Sequence, residues 1–144
     1  MINLFKNNNK WLSNMELVDV EFNGSTYPSV EHAYQSAKSN DDGWNDICLR
    51  RDLTPYQIKA KSKFVMKVEN WEEIKIGVMK ELVYKKFSTP QFKELLLGTN
   101  DENIVEGNMW GDKFWGVDIK NTPNEGENHL GRILMDVRNM LKNE

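Results

Sequence analysis

Asn23-Gly24-Ser25-Thr26-Tyr27-Pro28-Ser29-Val30-Glu31-His32-Ala33-Tyr34-Gln35-Ser36-Ala37-Lys38 holds a turn, a strand and the opening of a helix in one short run. Asn-Gly suits a two-residue hairpin turn because both residues tolerate positive φ. Upstream, Leu17-Val18-Asp19-Val20-Glu21-Phe22 alternates moderately, so Leu17 to Tyr27 is expected to form a small hairpin. Ser29 is a good N-cap, and its helix is expected to run to about Ser39.

Working outward, Thr54-Pro55 reads as an N-cap with proline at the first helical position, opening a helix to about Phe64. Asn70 is expected to cap the strongest helix, Trp71 to Phe87, whose Ile74, Val78, Leu82 and Met79, Val83 fall at helical spacing. Thr89-Pro90 opens a shorter helix with Phe92, Leu95 and Leu96, ending near Gly98. Ile104 to Ile119 carries Trp110, Phe114 and Trp115 among glycines and reads as short strand and loop. The last helix is expected from Asn128, as its N-cap, to Lys142. Leu130, Ile133, Leu134, Val137 and Leu141 line one face, and Gly131 allows close backbone approach. The expected fold class is α+β, mainly α-helical with a few short strands, residues 1–144 forming a single domain.

Composition narrows the function. The chain of 144 residues is 39% hydrophobic and 28% charged, as in a soluble domain. No apolar run approaches the roughly 18 residues of a membrane span, and the N-terminus has no signal-peptide core. A single cysteine, Cys48, suits a reducing interior, so a cytoplasmic location is expected. The net charge of −3 comes without a basic stripe, which argues against general nucleic-acid binding. Two histidines and one cysteine at no ligand spacing argue against a structural zinc site. Neither Cys48 nor Ser13 has a neighbouring His–acid arrangement, and no phosphate-cradling glycine loop is present.

Two clusters carry chemistry. On the helix after Ser29, Glu31, Gln35 and Lys38 share one face with Tyr34 beside them. The stripe reads either as a functional face or as a solvated one, with Glu31 favoured by the helix dipole. Glu106 to Asp118 gathers Glu106, Asp112 and Asp118 with Trp110, Trp115 and glycines. Tryptophan in a loop packs or stacks, so Trp110 and Trp115 are either core residues, with Asp112 as a turn former, or parts of a binding site. His32 lies off the Glu31–Lys38 stripe and reads as structural.

Taken in order, Leu12-Ser13-Asn14, the Tyr27-Pro-Ser-Val-Glu31-His-x-Tyr-Gln35-x-x-Lys38 string, Trp71 with Val78-Met79 and Lys86-Phe87, Glu106, Asp112-x-x-Trp115-Gly116 and Asn128-x-Leu-Gly131-x-x-Leu-Met135-x-Val-Arg138 resemble the YbiA-like NADAR family. The resemblance spans nearly the whole chain. It implies hydrolysis of ribosyl N-glycosidic bonds, on ADP-ribose attached to guanine or on phosphorylated ribosylamino-pyrimidine intermediates of riboflavin synthesis. It implies Glu31, Lys38 and Asp112 as catalytic residues. Ser13, Asn14, Tyr34, Gln35, Trp71, Glu106, Trp115 and Gly116 are expected to bind substrate, with no metal and no cofactor. The partner expected is a nucleotide-like small molecule or an ADP-ribosylated guanine base, and no membrane. The chain departs from the family between Ala60 and Asn70, where lysines stand in place of arginines and lack arginine's bidentate fork. It departs again at Asp118, where the family commonly has a small residue.

Two routes suit such a bond. In one, an acid protonates the leaving nitrogen while a carboxylate activates water or stabilises an oxocarbenium-like ribose, Glu31 and Asp112 dividing the tasks. In the other, the sugar opens to an imine and Lys38 exchanges with the base as a Schiff base; this needs a lysine desolvated and lowered in pKa. Trp71 or Trp115 would stack on a base or sugar. The alternatives are a non-catalytic ADP-ribose or nucleotide binding domain, and an interaction protein docking through its tryptophan-rich loop.

Overall fold

The computed structural model of the chain describes residues 1–121 and 125–144. They fall into two compact units, Asn14–Lys86 and Met1–Ser13 with Phe87–Glu144. The architecture is α+β, mainly helical with a few short strands.

In Asn14–Lys86, β1 (Leu17–Phe22) and β2 (Ser25–Ser29) pair antiparallel, Val20 opposite Tyr27 and Phe22 opposite Ser25. Asn23 at φ 49° and Gly24 at φ 81° form the turn as expected. The strand alternation buries Val20 and Phe22, while the Tyr27 hydroxyl meets Ser36 Oγ at 2.9 Å. β2 leads directly into α1 (Val30–Ala37), whose N-cap Ser29 accepts from the His32 N–H at 3.0 Å. The helix ends slightly short of Ser39, with Lys38 at its C-cap.

α2 (Asp42–Cys48) was not expected from apolar spacing. It is seven residues long and is capped by Asp41, whose carboxylate accepts from the Trp44 N–H at 3.2 Å. Trp44 is buried and donates from Nε1 to the Gln35 carbonyl at 2.7 Å, tying α2 to the end of α1. α3 (Pro55–Lys61) opens on a Thr54/Gln57 capping box, and a 3-10 turn, Ser62–Phe64, completes the expected span. α4 (Trp71–Phe87) has the expected bounds, and the Asn70 carbonyl accepts from the N–H groups of Glu73 and Ile74. Met79, Leu82 and Val83 are buried along it, and Cys48 is fully buried on α2. Burial, helped by the Glu31 charge, pushes the Cys48 thiol up to about 12.

In the other unit a 3-10 turn (Asn7–Leu12) is followed by α5 (Pro90–Leu97), by the parallel pair β3 (Gly107–Asn108) and β4 (Val117–Asp118), and by α6 (His129–Lys142). Ile2 bridges to Ile104 beside them. Leu130, Ile133, Leu134, Val137 and Leu141 of α6 are all buried. A Cβ on Gly131 would lie 2.3 Å from the Ile104 carbonyl oxygen, so the close approach expected there is real.

Asn128 takes the N-cap position expected of it, its carbonyl accepting from the Arg132 N–H at 3.0 Å, but its side chain does not cap. Its backbone is left-handed, φ 55° and ψ 40°, and its side chain makes no cap bond, a conformation asparagine tolerates well. The amide instead accepts from the Glu106 N–H at 2.9 Å and donates to the Ile104 carbonyl at 3.0 Å. The side chain fastens a loop, while the backbone opens the helix. Among the described residues no helix is long and apolar enough to cross a membrane.

Lys86, on α4, is 1% exposed. Burial lowers its pKa to about 7, against the pull of Glu16. Between pH 7 and an unfolded value of about 10.4 the unfolded chain holds a proton that the folded one lacks, so stability rises with pH there, by at most about 1.4 kcal/mol per unit from this residue. Chemical denaturation from pH 7 to 10 should show that rise in the native chain, and Lys86→Met should flatten it.

Candidate active site

The Glu31–Gln35–Lys38 stripe is not a solvated face. Glu31 is 6% and Gln35 5% exposed. Their position follows from the start of α1. His32 Nε2 lies 2.9 Å from the Leu53 carbonyl and Nδ1 lies 2.7 Å from Ser29 Oγ. A carbonyl only accepts, so Nε2 carries the proton and Nδ1 accepts from the Ser29 hydroxyl. Desolvation lowers the His32 pKa against the Leu53 bond, with Arg51 adding to the lowering, and the ring is neutral. His32 thus anchors the first turn from one side and leaves Glu31 on another, as its structural reading anticipated.

Glu31 Oε2 accepts from Gln35 Nε2 at 2.6 Å, and the Glu31 N–H donates to the Asn14 carbonyl at 3.2 Å. Asn14 itself donates to Met79 Sδ at 3.4 Å. Gln35 Oε1 is a buried acceptor with no hydrogen-bond partner among the described residues. Lys38 reaches the Ser62 carbonyl at 3.4 Å and Ser62 Oγ at 3.5 Å, both long contacts. Burial lowers its pKa, the Lys67 ammonium lowers it further, Glu31 and Glu72 raise it, and Lys75 lowers it.

Tyr34 and Trp71 pack with ring centroids 5.1 Å apart. With 3% of its surface exposed, Trp71 has almost no ring face left for a ligand. Of the two tryptophans expected to stack, Trp115 is the half-buried one. Asn14, Glu31, Tyr34, Gln35, Lys38 and Trp71 all belong to the Asn14–Lys86 unit.

Ser13, Glu106, Asp112, Trp115 and Gly116 belong to the other unit, and four of them share one loop. Asp112 Oδ1 accepts from the N–H groups of Phe114 and Trp115, each at 3.0 Å, which is the turn-forming role. At the centre is Asn108, 1% exposed, a residue the sequence reading did not single out. Its Nδ2 donates to Glu106 Oε2 at 3.1 Å and to the Asp112 carbonyl at 2.8 Å, and its Oδ1 accepts from the Asp112 N–H at 2.9 Å. In the sequence it shows only as an amide two residues after one acid and four before another. Asp118 is 2% exposed and accepts from the N–H groups of Lys120 and Asn121 at 2.9 and 3.1 Å, which gives the acid a turn-forming role there. Trp110 is 60% exposed, so it is not a core residue. Trp115 packs edge-on against Phe114, centroids 4.9 Å apart.

Two cavities lie elsewhere, one of about 770 Å³ beside the Met1–Trp11 segment and one of about 490 Å³ beside the hairpin and Ile74. None of the expected site residues lines either. Glu31 is buried on α1, and its charge acts on Lys38 about two turns along the same helix.

Residues 4–142 match the NADAR domain, and the chain belongs to the NADAR family. It is 32% identical to an N-glycosidase of Nostoc punctiforme, over 91% of this chain and 85% of that protein. It is 31% identical to the N-glycosidase YbiA of Escherichia coli, over 90% and 79%. A riboflavin biosynthesis protein of Vibrio vulnificus is 31% identical over 94% of this chain, which covers 36% of that larger protein. The NMR structure of Escherichia coli YbiA superposes with a TM-score of 0.84 at 26% identity, covering 99% of this chain and 85% of that one. The chain is an enzyme of the N-glycosidase class, a hydrolase acting on N-glycosyl compounds.

A Cβ on Gly116 would stand 1.7 Å from Glu106 Oε2 and 2.0 Å from the Glu106 carbonyl oxygen. Gly116→Ala should therefore displace Glu106 and cost about 1–3 kcal/mol of stability, the usual penalty of overpacking. A thermal melt no lower than that of the native chain would refute the packing.

Proposed function

We propose that this chain hydrolyses the bond between ribose and an exocyclic base nitrogen, its substrates being ADP-ribose on guanine or the phosphorylated ribosylamino-pyrimidines of riboflavin synthesis. The observation that carries the reading is Glu31: a carboxylate 6% exposed, hydrogen-bonded by Gln35 and close enough to Lys38 to act on its charge. The printed names of the relatives, N-glycosidase and riboflavin biosynthesis protein, favour the same chemistry.

Glu31 is the proton-transfer group. As a carboxylate it takes a proton from the attacking water and passes one to the departing nitrogen, so that one water is consumed and ribose and free amine are released. Lys38 serves as nucleophile or as anchor. As nucleophile, its amine adds to C1 of the ring-opened imine and expels the base amine, and water hydrolyses the resulting Schiff base to the aldehyde and free lysine. Burial favours the neutral amine this route needs, and the nearby carboxylates oppose it. Gln35 Oε1, buried and without a partner among the described residues, is an acceptor suited to a substrate N–H or O–H. The family motif puts a second acid at Asp112, and its share in the rate is open to Asp112→Asn.

Glu31→Gln should lower kcat on either substrate by about 10²–10⁴-fold while the melting curve stays close to native. Full turnover by this variant would end the proposal, and retained binding without any native turnover would leave a binding domain in its place. Borohydride added during turnover should leave a ribosyl mass adduct that Lys38→Arg abolishes. Because the Lys38 pKa is lowered, trapping should climb with pH below the ordinary lysine value of about 10.4.

A further inference from the structure

We propose that the cavity beside the hairpin and Ile74 binds a neutral nucleobase or nucleoside, held at the edge of its ring by asparagine side chains. The site goes beyond the N-glycosidase reading and does not depend on it. None of Glu31, Gln35, Lys38 and Trp71 lines it.

The cavity lies wholly within the Asn14–Lys86 unit and holds about 490 Å³, inside the range of roughly 300–1,000 Å³ usual for small-molecule sites. Part of its lining is a rigid polar network. Ser36, on a different face of α1 from Glu31, has its Oγ 2.9 Å from the Tyr27 hydroxyl, and both residues are buried. Asn45, on α2, donates from Nδ2 to the Ser36 carbonyl at 2.9 Å, to Ser36 Oγ at 3.0 Å and to the Ser39 carbonyl at 3.1 Å. A carbonyl only accepts, so the nitrogen end of this amide is fixed. Asn45 Oδ1 makes no hydrogen bond among the described residues. It stands as an acceptor held in one place.

Asn23, Asn40 and Asn70 line the same cavity, and their side-chain amides also make no hydrogen bond among the described residues. The hairpin turn, the residues after α1, α2 itself and the residue before α4 thus each bring one amide to a single space. Val68, Ile74 and Val78, half-buried, add an apolar wall. None of the described residues that line the cavity is charged. A phosphate, a carboxylate or an ammonium would lose water there and meet no counter-charge. A sugar would turn hydroxyls toward the apolar wall and leave some of them unpaired. A nucleobase has two apolar faces and keeps its donors and acceptors at the ring edge. An asparagine amide sets a donor and an acceptor side by side, the arrangement that pairs with a base edge. The lining therefore selects the base, and a ribose on it can point to solvent.

Titration of the isotope-labelled chain with guanosine, adenosine, cytidine, uridine and plain ribose, followed by NMR, reads the site directly. At least one nucleoside should shift the side-chain amide signals of Asn40, Asn45 and Asn70 and the backbone signals of Ile74 and Val78. Ribose should shift none of them. The 5′-monophosphate of the bound nucleoside should bind there no more tightly than the nucleoside, since the lining offers it no cation. The double variant N40A/N70A removes two amides that hold nothing in the fold, so its thermal melt should stay native while binding weakens by about tenfold or more. Val78→Phe should fill the space and abolish the asparagine shifts. Glu31→Gln should leave them as they are, whatever it does to turnover. The proposal falls if no nucleoside shifts the cavity signals, if ribose shifts them equally, or if N40A/N70A and Val78→Phe both bind like the native chain. Nucleoside shifts confined to Gln35 and Trp71 would also overturn it, because the ligand would then sit with Glu31.

Discussion

A carboxylate almost wholly withdrawn from water has to find its stabilisation close by, and Glu31 sets that requirement for the unit around it. Part comes from its place on the first turn of α1, where the helix N-terminus favours negative charge. Part comes from the Gln35 amide one turn later. The helix must start at the right residue for either to work. Ser29 therefore serves its N–H cap and the His32 ring together, and the neutral His32 is bolted to the Leu53 carbonyl. Trp44 closes the far end of α1 through the Gln35 carbonyl. Capping, tautomer and packing all act on the same eight-residue helix.

The elements legible in the sequence were those with a local cause. Asn23-Gly24 fixed the turn because both residues sit at positive φ. Ser29, Thr54 and the apolar stripe of α6 gave starts and faces that depend on neighbours three or four residues away. What escaped depended on distant contacts. α2 has an N-cap but is too short and too polar to show an apolar face. Asn128 has a capping residue's identity, yet its partners are Ile104 and Glu106. The burial of Glu31 and Gln35 was equally invisible, since a charged stripe at helical spacing looks the same whether water or protein covers it.

The candidate residues divide in the same way. Identity and order alone picked out Glu31, Lys38 and Asp112 through the family resemblance, but not what each one touches. Asp112 turned out to hold the N–H groups of Phe114 and Trp115, and the loop is organised by Asn108. The Val68 N–H, bonded to the Lys38 carbonyl, brings the segment before α4 against the end of α1, a contact no local pattern signals. Glycine at 116 is legible afterwards as the absence that lets Glu106 lie flat against the chain.

Cys48 offers a final consequence. Its sulfur is fully enclosed, and its proton is held far above neutral pH, so the thiolate that alkylating reagents and oxidants require is scarcely present in the native protein. The chain has no other cysteine. Labelling by a maleimide or an iodoacetamide therefore becomes a clock for opening of the region around α2, the same region that secures the end of the Glu31 helix.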